Sequence, residues 1–166
     1  MEGRITVIIR DTMLQLDECC NQVKSLKCGA INIFIGSIRD HDIGEDKVNA
    51  LTCKPIDAIH FEIYTQMASR QLREIMQDAL ESNIQVAKGE IDKNSKACVA
   101  LRVGDVPIGE ASIIVCVSST SRKMSHEATM EILNNVKSRV AIWKKIKFSS
   151  GTERWDLATK SEASWL

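Results

Sequence analysis

The sequence predicts an α+β fold in a single domain. Two stretches, 66–81 and 125–139, carry apolar residues at the spacing of amphipathic helices, and β-branched apolar runs typical of strands surround them. The chain shows no internal repeat and no linker that would divide it. A mixed order of strands and helices without such a division is typical of one α+β domain. We therefore assign 1–155 to this domain and 156–166 to a polar C-terminal tail.

The first half of the chain predicts one short helix among strands. In order, the pattern gives a strand at 4–10, a helix at 14–26, a buried strand at 30–38, a polar loop at 39–46, and strands at 47–53 and 58–64. On one side the helix would present Leu16, Cys19, Cys20 and Val23. The segment Lys54-Pro55-Ile56-Asp57 predicts a break between the last two strands.

The second half predicts two long helices around a central strand. The helix at 66–81 repeats apolar residues at helical spacing, namely Leu72, Ile75, Met76, Ala79 and Leu80. Strands are predicted at 84–86, 97–103, 111–118 and 142–148, with a polar loop at 88–96 and a turn at 104–110. The helix at 125–139 would bury Ala128, Ile132, Leu133, Val136 and Val140. Either Ser121 or Ser125 is suited to cap its start.

The composition argues against several classes of function. The 22 Lys and Arg residues balance 22 Asp and Glu residues, whereas a nucleic-acid-binding domain is usually basic over a broad surface. No apolar run approaches the roughly 20 residues that span a membrane. The first ten residues lack the apolar core of a secretory signal. We therefore expect a cytosolic protein that binds neither nucleic acid nor membrane.

The cysteines are scattered rather than arranged as metal ligands. The six are Cys19, Cys20, Cys28, Cys53, Cys98 and Cys116, and none of them forms a CxxC pair. Only three histidines accompany them, so we expect no zinc site and no cofactor. We expect reduced thiols, with Cys116 buried in the apolar run 113–117. A redox role for the adjacent Cys19 and Cys20 stays open.

A local excess of positive charge is the most informative feature of the chain. Between 132 and 152 there is no acidic residue, and the basic residues are Lys137, Arg139, Lys144, Lys145 and Lys147. Such an excess in a neutral chain indicates a small anionic ligand or an acidic partner segment.

Strand alternation singles out Lys144 within this segment. If 142–148 is a strand, Lys144 shares one face with Ile142, Ile146 and Phe148. A lysine held on that face would be partly desolvated, which lowers its pKa and frees its amine for proton transfer or nucleophilic attack. The alternative interpretation is that Lys144 extends past the sheet edge and keeps its ammonium group in water.

Two further segments offer anion-binding groups. Arg39 follows the predicted strand at 30–38, and 118–123 carries hydroxyls and Arg122 into the start of a helix, where backbone N–H groups favour phosphate. Each has a structural alternative, because Arg39 also suits a surface strand end and Ser121 also suits an N-cap. The three histidines, His41, His60 and His126, are spread apart and predict surface positions rather than a catalytic base.

These segments together resemble the large, catalytic subunit of molybdopterin synthase. The matching segments, in order, are Phe34-Ile35-Gly36-Ser37-Ile38-Arg39 with Gly44, Glu62-Ile63-Tyr64-Thr65-Gln66-Met67-Ala68, Arg102-Val103-Gly104, Gly109-Glu110, 118–122 and 137–145. Each segment alone is a weak signal, but their order and spacing together are specific.

The resemblance implies an α/β hammerhead fold with an additional antiparallel β-sheet, and a homodimer that carries two copies of a small ubiquitin-like sulfur carrier. The thiocarboxylate at the carrier's C-terminal Gly-Gly would enter a pocket and transfer sulfur twice to a cyclic pyranopterin monophosphate, which gives molybdopterin. By resemblance Lys137 and Lys144 are catalytic, with Lys137 the principal residue. Arg39, Arg122 and Lys145 would hold the substrate phosphate or the carrier terminus, and no metal is required.

The chain departs from the family pattern within this proposed site. Ser121 replaces a histidine before Arg122, Leu101 replaces a histidine before Arg102, and Ile146 replaces a glutamate after the lysine pair. Ser121 and Ile146 thus stand at substrate-binding positions without the family's donor and carboxylate. An alternative function is therefore a non-catalytic module of the same fold that docks a ubiquitin-like carrier. A phosphate-binding domain of unrelated function is a third possibility.

Overall fold

A computed structural model describes residues 3–42, 54–82 and 94–156. The elements are β1 Ile5–Arg10, α1 Leu16–Val23, β2 Ala30–Ser37, β3 His41–Asp42, β4 Lys54–Ile63, α2 Thr65–Ser82, β5 Lys96–Arg102, β6 Gly104–Pro107, β7 Ala111–Ser119, α3 Arg122–Arg139, β8 Ile142–Phe148 and β9 Glu153–Asp156. None of the described helices is both long enough and apolar enough to cross a membrane.

The first sheet carries the main core. Its strand order is β1-β5-β7-β2, with β1 parallel to β5 and the other pairs antiparallel. Because successive side chains of a strand point to opposite faces, the central strands β5 and β7 are buried on both sides. One face packs against the apolar residues of α2 and α3, and the other packs against Cys19 and Val23 of α1.

The second sheet is antiparallel and is organised around the long strand β4. Its order is β3-β4-β8-β9, and β6 also pairs with β4. Its interior face contributes Phe61 and Val106, which pack with Ile38, and Ile146, which packs with Ile56 and Phe148. The strand β8 follows α3 directly, so the end of α3 meets this sheet where it adjoins the first one.

The two long helices and the central strand confirm the predictions. The apolar faces named for α2 and α3 are buried, and Ser121 rather than Ser125 caps α3, because its hydroxyl accepts a hydrogen bond from the Met124 N–H at 3.3 Å. The helix α1 is shorter than predicted, and Leu16 at its start is 37% exposed.

The prediction that 30–38 is a buried strand is wrong for one face of β2. Ile31, Ile33 and Ile35 are 42%, 41% and 47% exposed. The reason is the position of β2 at the edge of its sheet, beyond the short helix α1, which packs on the central strands. An apolar stripe thus remains uncovered among the described residues of this chain.

The break predicted at 54–57 is also wrong. Lys54 and Pro55 begin β4 and pair with β3, and the β4–β8 register shifts between Ile56 and Ala58. A bulge at this point keeps one long strand where the sequence suggests two. The predicted strands 47–53 and 84–86 and most of the loop 88–96 lie outside the described residues.

Three short strands were not predicted, and the first of them, β3, lies within the segment 39–46 that was predicted to be a polar loop. β6 occupies the start of the predicted turn at 104–110, and only the remainder of that segment turns. β9 follows a tight turn after β8 and includes Asp156, which the sequence pattern assigns to the tail. The rest of the tail, 157–166, lies outside the described residues.

Candidate active site

An apolar cleft lies between the two sheets and the C-terminal half of α3. It is lined by Phe34, Gly36, Phe61, Ile63, Leu101, Arg102, Ser112, Ile113, Leu133, Val136, Lys137 and Ile142. Both cationic residues in this lining, Arg102 and Lys137, belong to elements that the core holds in place. Such a cleft suits a ligand with a flat apolar body and an anionic end.

The helix α3 positions Lys137 at this cleft. Its neighbour Val136 is 3% exposed and packs in the core, which fixes the orientation of the last helical turn. Lys137 is half-buried and adds a cation close to the helix C-terminus, where the helix dipole favours positive charge. The ammonium group is therefore fixed beside the apolar walls rather than carried on a mobile loop.

The strand β8 turns Lys144 toward the interior. Its side chain is only 13% exposed, and its ammonium nitrogen lies 3.3 Å from Oδ2 of Asp156 on β9. Burial lowers the pKa of Lys144, Asp156 opposes that change, and the positive charges of Lys137 and Arg39 lower the pKa further. Of the two interpretations of Lys144, the structure favours the partly desolvated lysine.

Two of the predicted site residues lie within electrostatic range of Lys144. Arg39, on the loop after β2, and Lys137, on α3, both act electrostatically on Lys144. Asp156 is the acidic group in this cluster. A site with three cations and one carboxylate carries a net positive charge and attracts an anionic ligand.

Ser121 and Arg122 are not part of this cluster within one chain. They stand at the N-terminal end of α3, whereas Lys137 lies in its last turn. At 1.5 Å per residue, the 15 residues between Arg122 and Lys137 separate them by about 22 Å. This distance exceeds the combined reach of the two side chains, so Arg122 and Lys137 do not meet within one chain.

Lys145 and Ile146 also differ in position from Lys144. Lys145 points to the opposite face of β8, where its ammonium lies 2.9 Å from Glu153 and 5.4 Å from the centre of the Trp155 ring. Ile146 shares the interior face with Lys144, but it is 5% exposed and packs with Ile56. The structure thus brings neither residue into the cluster of Arg39, Lys137 and Lys144.

Arg102 is the residue that the sequence analysis did not assign to the site. Its side chain is 10% exposed and forms an ion pair with Glu110. Its Nε is buried and has no hydrogen-bond partner among the described residues. The sequence carried a signal for this residue, because the segments Arg102-Val103-Gly104 and Gly109-Glu110 both belong to the resemblance. The ion pair of Arg102 with Glu110 joins these two segments.

Other polar groups lie away from the cleft. His60 contacts Asp105 at 2.6 Å, and His126 contacts Asn32 at 3.1 Å. Within the described ranges, His, Cys, Asp and Glu side chains do not cluster in a way that would hold a metal ion. The five described cysteines are free thiols, and Cys116 is fully buried as predicted.

Comparison with known sequences identifies the family. A model of the MoaE protein family matches residues 9–139. The molybdopterin synthase catalytic subunit of Dictyostelium discoideum is 30% identical over 152 residues, which cover 92% of this chain and 86% of that protein. The molybdopterin synthase catalytic subunit of Taeniopygia guttata is 33% identical over 137 residues, which cover 82% and 77% respectively.

Comparison with solved structures agrees on the fold. Molybdopterin synthase from Staphylococcus aureus superposes with a TM-score of 0.73 at 19% identity, covering 94% of this chain and 98% of that chain. A chain from the complex of subunits 1 and 2 of the molybdopterin-converting factor of Helicobacter pylori gives a TM-score of 0.63 at 18% identity, covering 93% and 90%. The fold expected from the resemblance is confirmed, and the chain belongs to the MoaE family of molybdopterin synthase catalytic subunits.

Proposed function

We propose that this chain transfers sulfur from the thiocarboxylated C-terminus of a small ubiquitin-like carrier to cyclic pyranopterin monophosphate and so forms the dithiolene of molybdopterin. The observation that carries the proposal is the cluster of Arg39, Lys137 and Lys144 beside an apolar cleft. The substrate phosphate and the thiocarboxylate are both anions, and the pterin ring system is flat. Family membership supports the same reaction.

The cations have different surroundings, and we assign them different roles on that basis. Lys137 lines the cleft itself, so it is placed to give a proton to the oxygen that leaves the pterin side chain as the carbon–sulfur bond forms. Water then cleaves the acyl carbon–sulfur bond, which leaves the sulfur on the pterin and a carboxylate on the carrier. Lys144 and Arg39 stabilise the negative charge of the phosphate and the thiocarboxylate. Arg102, which also lines the cleft, is placed to orient the ligand.

The carrier is the first proposed partner. The Helicobacter pylori structure is a complex of two subunits, which supports an equivalent small subunit here. The carrier's C-terminal segment would deliver an anion at the end of a flexible chain into the cleft. We also propose a cytosolic location, which the free thiols of the described cysteines support.

A second copy of this chain is the other proposed partner. The stripe of Ile31, Ile33 and Ile35 on the edge strand β2 offers a self-complementary apolar surface for a two-fold interface. A two-fold axis near Ile33 would run the two β2 strands antiparallel. Because the start of α3 lies near the start of β2, this arrangement brings Arg122 of one copy toward Lys137 of the other.

One assay tests the reaction. The purified chain is mixed with thiocarboxylated carrier and the pterin precursor, and the dithiolene product is measured, with carrier bearing an ordinary carboxylate as the control. We expect product only with the thiocarboxylate. Carrier binding without any product would support the non-catalytic docking module, and absence of both would favour the phosphate-binding domain.

A further inference from the structure

Asp156 is the acidic side chain opposite Lys144. In the antiparallel pair of β8 and β9, the register sets Lys144 directly across from Asp156, so both side chains point to the interior face of the sheet. Their charged atoms are 3.3 Å apart, and the side chains are 13% and 32% exposed. This ion pair is therefore partly shielded from solvent, unlike most pairs on the surface of the protein.

Two positive charges also act on Lys144. Lys137 comes from α3 and Arg39 from the loop after β2, and both disfavour an ammonium ion at Lys144. The residue two positions along on the same face of β8 is Ile146, which contributes no charge. Asp156, whose carboxylate lies 3.3 Å from the Lys144 ammonium, favours the charged amine.

We propose that Asp156 is a positioning residue that keeps Lys144 an ammonium ion and holds it on the side of the sheet that faces the cleft. The catalytic part of this inference rests on the proposed function, whereas the ion pair is observed whatever the reaction. The alternative is that the pair only fastens β9 to β8. The two cases differ in whether the protonation of Lys144 changes when Asp156 loses its charge.

The direction of the change follows from the surroundings. Burial lowers the pKa of Lys144 and Asp156 raises it, so loss of the carboxylate removes an influence that holds the pKa up. The affected amine would then lose its proton at a lower pH, and the site would lose one positive charge while the phosphate is bound.

The test is the pH dependence of Lys144 acylation by acetic anhydride. The whole folded chain is acylated, and the modification of Lys144 is then measured by mass spectrometry of the peptide that contains it. The Asp156→Asn variant removes the charge with little change of shape, and Asp156→Glu restores a carboxylate. The matched control is Glu153→Gln, because Glu153 is on the same strand but pairs with Lys145 on the opposite face.

We expect the midpoint of Lys144 acylation to fall by about one pH unit in Asp156→Asn, as is typical for the loss of an adjacent opposite charge. Asp156→Glu should recover most of the change, and Glu153→Gln should leave the midpoint where it is. The same midpoint in Asp156→Asn and in the parent protein would overturn the proposal.

A second readout separates this inference from the proposed function. If the chain makes molybdopterin, the alkaline limit of its rate should move to lower pH in Asp156→Asn and stay in place in Glu153→Gln. A shifted acylation midpoint without any molybdopterin from the parent protein would support the role of Asp156 and refute the reaction. Normal product formation with an unmoved alkaline limit in Asp156→Asn would refute the role of Asp156 and leave the proposed reaction standing.

Discussion

A Cβ atom on Gly36 would lie 2.7 Å from Cγ2 of Ile113, a distance that real Cβ atoms essentially never show. The same atom would lie 3.3 Å from the ring of Phe34. All three residues line the cleft, and Ile113 is β-branched and cannot easily turn its methyl group aside. The glycine in the Phe34-Ile35-Gly36 segment is therefore required by the close packing of the cleft wall.

Gly36→Ala should destabilise the fold by about 1–3 kcal/mol, the usual effect of an extra methyl group in a packed region. Denaturant unfolding followed by circular dichroism measures the change. Gly29→Ala is the matched control, because its new methyl group would meet only the Thr120 carbonyl oxygen at 3.7 Å. Equal stability of the two variants would show that the cleft wall yields to the added atom.

Lys137→Ala should lower sulfur transfer by at least about 100-fold, since general acid catalysis typically contributes this much or more. Lys144→Ala should lower it by about 10-fold to 100-fold, as expected for one charge-assisted contact. The fold should survive Lys137→Ala because alanine suits a helix, and carrier binding should survive in both variants because the carrier contacts a wider surface. Lys123→Ala, on the exposed start of α3, is the control. A near-parental rate in Lys137→Ala would remove the catalytic role.

Ile33→Glu should convert the proposed dimer into a monomer, because it places a charge at the centre of the apolar stripe on β2. Light scattering at micromolar concentration measures the mass. The control is Ile108→Glu, which changes an equally exposed isoleucine, 42% against 41%, in the turn after β6. A parent protein that is already monomeric would refute the proposed interface.

Arg122→Ala and Lys137→Ala should complement each other if the site is shared between copies. Each variant alone would have two damaged sites per dimer. After mixing and exchange, half of the dimers would contain both variants, and one of the two sites in each would be intact. We expect about one quarter of the parental rate from the mixture. No gain over the separate variants would mean that Arg122 acts within its own chain or not at all.

Protonation of Asp105 at acid pH should lower the stability of the fold. Hydrogen bonds from Lys147 and then from His60 lower the pKa of Asp105 below its ordinary value of 3.8. Since the folded pKa is the lower one, the stabilisation is present above pH 3.8 and is lost as the pH falls through the folded pKa. The Tm of the parent should exceed that of Asp105→Asn at pH 5, and the two should converge at lower pH. A constant difference across this range would contradict the prediction.

The period of the apolar residues explains why α2 and α3 were predictable. Leu72, Ile75 and Met76 mark the buried stripe of α2 without any knowledge of its partners. The exposure of Ile33 was not predictable in the same way, because a strand at the edge of a sheet has the same apolar composition as one in its centre. Position in the sheet is a property of the tertiary structure.

The site was predicted in part for similar reasons. Lys144 could be found because alternation along one strand sets its direction. Asp156 could not, because its partnership depends on a short strand, Glu153-Arg154-Trp155-Asp156, whose charged composition does not indicate a strand. The resemblance assigned Arg122 and Lys137 to one site, and the length of α3 shows that the two are far apart in one chain.

Lys144 and Lys145 point to opposite faces of β8. The chemistry of the site therefore depends on whether the strand shifts by an odd or an even number of residues. Removing one residue between α3 and β8 would turn Lys145 inward together with the bulky, half-exposed Trp143, and would send Ile146 into water. Removing two residues would leave the same kind of side chain on each face. A variant that shortens this connection by an odd number should therefore lose both the amine and the core beneath it, whereas an even change would spare the phase of the strand.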